Sequence, residues 1–569
     1  MRKRSSRLLA VLLAAGMTLS MAACGNEPAV STETKESTES VATSETPEEK
    51  LYYNKEGLPI CDETITIKVS GPQGNSPDWN NTLFVKTVEE KLGIKLECEP
   101  VAADAWSTQY ATMLATGDMP DLIIQAGVDK AQVNKDGKAG FWLDLSQYLD
   151  IMPNFVALME KYPEWASYLK TETGAIYGLT CVTPGQVINS PGQILFHPDV
   201  VEAAGVDVDK INTIDDFYNA LVAVKKAYPD KSPLAMTFDK MPAYNLDIIL
   251  RTAFGINYHD NSYMLVADDA GTVSLADISD NNRTYLQWLN KLYKEGLLDP
   301  NSFIYTRDEY RAKEDANEFI FFSDTGMRRN QNAEYKDHTG WGCITALSSE
   351  YTNGEKNYVL RNGVATDAMI YASADTEYPE AICRFIDYLC TEEGAYLGVY
   401  GIEGETYEFV DDGFGNKVIQ QEKFADLSKY ANLAEWSQQY VAPFQTFNLL
   451  WNFNYEYMDL ASTESLQKMT TDPTCTEGWR ALVALSLKEN NIIMQPAPLS
   501  YTSEEASERG TMQSDLATYL KTAKVSFITG EFDPYDDKVW ENHVNTVKSM
   551  GYDRLMEIEQ GAWDRMAAN

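Results

Sequence analysis

Positive charge is scarce in this 569-residue chain: 47 lysines and arginines stand against 85 aspartates and glutamates, a net charge of −38. That field excludes nucleic acid as a partner, since binding it needs a basic face. Anionic lipid surfaces and anionic ligands are repelled too unless a local patch reverses the field, so the composition points to a neutral ligand. Histidine is rare. The four, His197, His259, His338 and His543, are scattered, and none has a cysteine or a second histidine at ligand spacing, so neither a metal site nor a cofactor is expected. The eight cysteines include no CxxC pair. Beyond Cys24 an odd set remains, Cys61, Cys98, Cys181, Cys343, Cys383, Cys390 and Cys475, which reads as buried small apolar residues, not as a disulfide framework. Also missing are a G-x-S-x-G elbow, an H-E-x-x-H helix and a P-loop. After residue 23 no apolar run is long enough to span a bilayer.

The chain begins with an export leader. Arg2, Lys3, Arg4 and Arg7 supply a positive start, Leu8 to Ala15 a short apolar segment, and Met21-Ala22-Ala23 small or slim residues ahead of Cys24. Residues 1–23 therefore read as a signal peptide. Its end resembles a bacterial lipobox, with Met21 where Leu is usual, and the resemblance implies cleavage and a diacylglycerol on the Cys24 thiol. Residues 24–55 read as a disordered tether. Gly25 to Lys50 hold no aromatic residue and carry seven acids against two bases, too little apolar surface to fold. Removing the leader, with its four bases and no acids, takes the charge from −38 to −42.

From Glu63 the pattern becomes regular. Thr64 to Val69 alternates as a strand; Leu83, Phe84, Val88 and Leu92 recur at helical spacing; Gly93 stops that helix; and Ile94 to Glu99 alternates again. A helix from about Trp106 to Ala115, stopped by Gly117, leads to the apolar strand Leu122-Ile123-Ile124. Strand, helix, strand, helix, strand opens a parallel sheet covered by helices, an α/β class. With 44% hydrophobic residues the folded part is ample for two or more cores.

Several segments resemble the extracellular solute-binding proteins of ABC sugar importers, in the large lipoprotein subgroup. Ala115-Thr116-Gly117-Asp118-Met119-Pro120-Asp121-Leu122 is similar to that family's A-S-G-D-x-P-D segment, and Gly174-Ala175-Ile176-Tyr177-Gly178-Leu179 to its G-x-x-Y-G-L-P run. Ile214 to Leu221, Pro379 to Leu389 followed by Glu392-Glu393-Gly394, Gly401 to Tyr407, Phe527 to Gly530 and Gly551 to Ile558 match in the same order. Thr180-Cys181 and His197-Pro198-Asp199 depart from the pattern beside the cleft, so ligand identity does not carry over. The resemblance implies a two-lobe periplasmic-binding-protein-like (type II) fold with a hinge and extra C-terminal helices. Lobe 1 is then residues 61–179 plus 365–425, and lobe 2 residues 184–364 plus 426–569. It also implies an extracytoplasmic monomer, held to the membrane through its lipid anchor only, that captures a neutral carbohydrate, an oligosaccharide, and delivers it to ABC permease subunits without chemical change.

Open parallel sheets bind ligands at the carboxyl ends of their strands. That rule selects Gly71 to Asn81, Gln125 to Gly127 and Asp367 in the first lobe, and in the second the segment after Phe319 to Ser323 and the stretch Tyr244 to Arg251. Sugars stack their C–H faces on aromatic rings and exchange hydrogen bonds with amides and carboxylates. Trp79, Trp106, Tyr177, Trp341, Trp451 and Tyr455 are the ring candidates; Asn80, Gln125, Gln193, Asp324, Asp367 and Glu403 are the polar ones. Each has a structural reading beside it. Trp79 and Trp106 suit a core, Trp451 to Tyr455 a packed strand, Asp324 a helix cap, Asp367 a turn and Glu403 a solvated position, while Tyr177 suits the crossing geometry. Rival functions are a peptide-binding or sensory protein on the same fold, or a cell-surface glycoside hydrolase using paired carboxylates.

Overall fold

The computed structural model describes residues 51–567 apart from 75, 191, 238–245, 258–263, 269, 324–341, 366, 444–448, 451–452, 473–474 and 476–477. Cys24, Asp324, Trp341 and Trp451 therefore lie outside the described residues.

The alternating segments form strands β1 (Ile65–Pro72), β2 (Ile94–Val101) and β3 (Leu122–Asp129). β1 runs parallel to both others, and the strand Asp367–Ala372 returns antiparallel to β3, giving the order return strand, β3, β1, β2. β2 is the edge, and its alternation is plain: Ile94, Leu96 and Cys98 are buried while Lys95, Glu97 and Glu99 are exposed. Helix α1 (Leu83–Leu92) starts at Thr82, whose hydroxyl accepts from the Val85 N–H, and buries Phe84, Val85, Val88 and Leu92. It ends at Gly93, left-handed at φ 69°, where a Cβ would meet the Cys61 carbonyl oxygen at 2.0 Å, so a glycine is required. Helices α2 (Ala103–Thr116) and α3 (Lys130–Lys138) follow β2 and β3, and α4 (Pro153–Lys161) and α5 (Pro163–Leu169) come next.

Two large cores divide the chain. The first gathers apolar side chains from Tyr53 to Val182 and again from Ile370 to Leu449. The second gathers them from Val187 to Leu360 and from Met458 to Trp540. The chain therefore passes between the cores at 182–187, at 360–370 and at 449–458. Trp436, Val441, Ala442 and Leu449 belong to the first core. This corrects the expectation that everything after residue 425 joins the second lobe: the turn Ser437–Val441 packs on α1, which no local sequence pattern announces.

The second lobe carries extra C-terminal helices. The long helix Ser503–Thr529 opens on a capping box of Thr502 and Glu505, packs along the helix Asp280–Lys294, and is followed by helices Asp537–Ser549 and Tyr552–Ala567. The stretch around Tyr244 to Arg251, expected at the cleft, is instead in large part a buried helix, Leu246–Thr252. Its Asp247 accepts from Tyr285 Oη and from Lys524 Nζ, each at 2.7 Å, and pairs with Arg251. Tyr244 lies outside the described residues. The seven described cysteines, Cys61 onward, are free thiols. Burial pushes the Cys98 thiol up to about 12 and keeps it protonated.

Candidate ligand-binding cleft

A cleft of about 2050 Å³ opens between the lobes. One wall is built from α3, α4, α5 and the turn after α5; the other from the segment Gln495 to Thr502, the long helix and the C-terminal helix. Two of the crossing segments reach its floor, contributing Cys181, Thr183, Asn189 and Arg361 to Ala365. The crossings hold each other as a short ladder. Thr183 N–H donates to the Gly363 carbonyl at 2.8 Å, Ala365 N–H to Cys181 at 3.0 Å, and Val182 N–H to Leu449 at 2.9 Å. Gly363 has φ 81°, and a Cβ there would sit 2.3 Å from the Thr183 carbonyl oxygen, so this close approach needs glycine.

The polar lining is largely fixed before any ligand arrives. On the far wall Arg509 donates to Glu559 at 2.6 Å and to Gln513 at 2.7 Å, and its guanidinium lies 4.3 Å from the centre of the Tyr501 ring. Tyr501 in turn donates to the fully buried Glu559 at 2.6 Å. Arg565 bonds Glu505 and the Ser500 carbonyl. At the floor, Asn189 donates to Thr183 and Gly185, Arg361 to Ser190, and Asn362 to Pro496. On the near wall Lys138 pairs with Glu172, a hydrogen bond that holds the Glu172 carboxyl below its usual range against the opposing effect of burial. Lys130, at the first position of α3, is only 2% exposed. Burial lowers its ammonium pKa to about 7, with Asp129 opposing the shift.

Of the twelve candidate ligand residues, the seven whose side chains are among the described residues do not line this cleft. Trp79 is 1% exposed in the first core, its ring lying against Gly71, where a Cβ would approach it to 3.1 Å. Asn80 clamps the edge strand: its Nδ2 donates to the Cys98 carbonyl at 2.8 Å and its Oδ1 accepts the Cys98 N–H at 2.9 Å. Trp106 is buried with Tyr110, Trp142 and Tyr371. Tyr177 lies against α3, where a Cβ on Gly137 would come within 2.2 Å of its ring. Gln193 is 3% exposed and donates to Ser190 Oγ, and Gln125 is half-buried at φ 50°. Glu403 is exposed and bridges to Tyr407 across the turn 404–406. Asp367 pairs in register with Asp129, and Tyr455 ends a short 3-10 turn, Phe453–Tyr455; their side chains are outside the described set.

The sequence reading stops β3 at Ile124, whereas the strand continues to Asp129. Carrying the strand-end rule five residues further would have reached Asp129 and Lys130. The far wall carried no signal of its own, because Gln495 to Gln513 reads as an ordinary segment until it is seen opposite α3.

Residues 81–396, more than half of the chain, match the bacterial extracellular solute-binding protein family. The chain belongs to that family. Among relatives of this solute-binding protein, the fructooligosaccharide ABC transporter substrate-binding protein FusA of Streptococcus pneumoniae serotype 4 is 22% identical, covering 98% of each chain. Lipoprotein LipO of Bacillus subtilis strain 168 is 23% identical over 86% of this chain and 91% of its own. The structure of FusA in complex with kestose superposes with a TM-score of 0.64 at 18% identity, covering 89% of this chain and all of that one. A solute-binding protein from Bifidobacterium longum subsp. infantis gives 0.68 at 17% identity, over 88% and 98%. At these identities the structures establish the two-lobe fold. Among the described residues of this solute-binding protein no helix is long and apolar enough to cross a membrane, and no three His, Cys, Asp or Glu side chains are grouped to hold a metal.

Proposed function

We propose that this protein captures a neutral oligosaccharide in the cleft between its lobes and delivers it to an ABC permease. The observation that carries the reading is the cleft itself. At about 2050 Å³ it is roughly twice the upper range of sites for drug-sized molecules, which suits a chain of sugar units. Asn134, Asn189, Asn362, Gln495 and Gln513 line it with planar amides that can both donate to and accept from hydroxyls. Family membership and the fructooligosaccharide-binding relative support the same ligand class. Three passages between two cores suit closure by hinge motion around the guest. Hydrolysis is disfavoured at Glu172, because a glycosidase acid needs its carboxyl raised and this one is lowered. The remaining parts of the reading are a lipid on Cys24, a tether that ends before Tyr52 and not at 55, because Tyr52 donates to Glu380 and Tyr53 packs in the first core, an extracytoplasmic monomer, and passage through the membrane supplied by the permease.

Thermal-shift and calorimetric screening of the mature protein against kestose, maltotriose, cellotriose and xylotriose, with tripeptides as the contrast, tests the ligand class. A sugar that binds the folded state raises the melting temperature by mass action. Response to peptides alone, or release of a cleaved sugar, overturns it.

A further inference from the structure

The near wall of the cleft holds a charge that the fold leaves incompletely satisfied. Lys130 is 2% exposed, lines the cleft, and gives one hydrogen bond, to Asn134 Oδ1 at 2.6 Å. An ammonium has three N–H donors, so two are without a partner, and no carboxylate lies within ion-pairing distance of it among the described residues. Its charge also sits at a helix N-terminus, where the backbone dipole disfavours a cation. Burying such a group destabilises the fold unless something else completes its shell. By contrast, Arg509 and Arg565 on the opposite wall are each paired with a carboxylate.

We propose that Lys130 is the donor through which this cleft reads its ligand, giving its two unused N–H groups to neighbouring hydroxyl oxygens of the bound sugar. The inference rests on the carbohydrate reading above and adds to it the contacting residue and a requirement on the guest: two adjacent acceptor oxygens, with no carboxylate needed. Asn134, one turn along α3, orients the ammonium. Because burial brings the free ammonium to about 7, and binding uses only its charged form, sugar binding takes up protons above neutrality. Asp129, the last residue of β3 and the N-cap of α3, is the neighbouring charge that supports protonation. The other charged groups facing the cleft are Lys138 on α3, Glu160 on α4, Glu164 on α5, Lys170 and Glu172 on the turn, Arg361 on the crossing, Arg509 on the long helix and Arg565 on the C-terminal helix; Asp367 is the register neighbour of Asp129 on the return strand.

The test is calorimetry on the mature protein with the four sugars named above and with digalacturonic acid, at about pH 6 and about pH 8. The wild type is expected to bind a neutral sugar about tenfold more weakly at the higher pH, as the free ammonium deprotonates. Lys130→Met keeps the volume and removes the donors. It is expected to bind about 10- to 100-fold more weakly at the lower pH, to lose the pH dependence, and to melt no lower than the wild type. Should Lys130→Met fail to fold, Lys130→Arg, charged throughout, is expected to flatten the pH profile. Wild-type affinity in Lys130→Met, a wild-type pH slope in Lys130→Arg, or tighter binding of digalacturonic acid than of any neutral sugar overturns the inference alone. No sugar binding by the wild type at either pH overturns it together with the carbohydrate reading.

Discussion

Trp79 and Asn80 illustrate how a residue chosen for its chemistry can be claimed by the fold instead. An indole and an amide at a strand-end loop suit a sugar, yet the indole fills the space above Gly71 and the amide completes the open edge of β2. Lys130 shows the reverse: a lysine beside a helix start looks like a solvated residue, and burial in the cleft wall is what gives it consequence. The buried histidines allow a prediction at this scale. Burial lowers His197 and His543 to about 4, with Lys231 adding to the first and a hydrogen bond to the Asp277 backbone opposing the second. Each is therefore neutral in the folded protein at a pH where the unfolded chain binds a proton. Their contribution is complete above about pH 6.5 and is lost as pH falls toward 4, by up to about 1.4 kcal/mol per pH unit for each histidine. Urea midpoints at neutral pH and in mild acid should show the wild type losing more than the double variant His197→Asn, His543→Gln.

Elements in this protein depend on partners remote in sequence. The start of α4 has no side-chain cap from Met152, the residue at its N-cap. Asp387, on the helix Pro379–Leu389, supplies one from 233 positions away, accepting the Asn154 N–H at 2.7 Å and the Phe155 N–H at 2.9 Å. It also takes the Asn154 amide at 2.8 Å and lies beside Arg384, with no solvent exposure. Asp387→Ala leaves two helix-start donors without their acceptor and a buried guanidinium without its carboxylate. The expected cost is about 3–5 kcal/mol, read from urea denaturation, and a loss under about 1 kcal/mol contradicts the role. Where a cap is local it is readable, as with Thr82 for α1 and Gly93 at its end. The first three strands and two helices were legible for the same reason: their burial alternates or recurs within a few residues. The α4 cap and the docking of Ser437–Val441 on α1 were not, because each joins segments hundreds of positions apart.

At the scale of the whole molecule, the proposed lipid on Cys24 is testable by substitution. Cys24→Ser removes the thiol that would carry lipid; the variant is expected in the soluble fraction and without label after growth on radiolabelled palmitate, while the wild type is labelled and sediments with membranes. Label on the serine variant, or none on the wild type, contradicts the anchor. The lobes meet across a cleft whose walls come from 130–174 and from 495–566, with crossings at 181–189 and 361–365 beneath them. Segment order revealed the family and the architecture, but the lining was hidden, since each contributing stretch is ordinary until the others stand opposite it.

The sequence by itself determined the charge that disfavours anionic partners and the alternating pattern of a helix-covered parallel sheet, because both are set by composition or by neighbours within one or two turns. Only the tertiary structure decided that Trp79, Asn80 and Trp106 serve the fold while Lys130 faces the cleft. Burial and hydrogen-bond satisfaction are properties of space, and space is settled when distant segments pack.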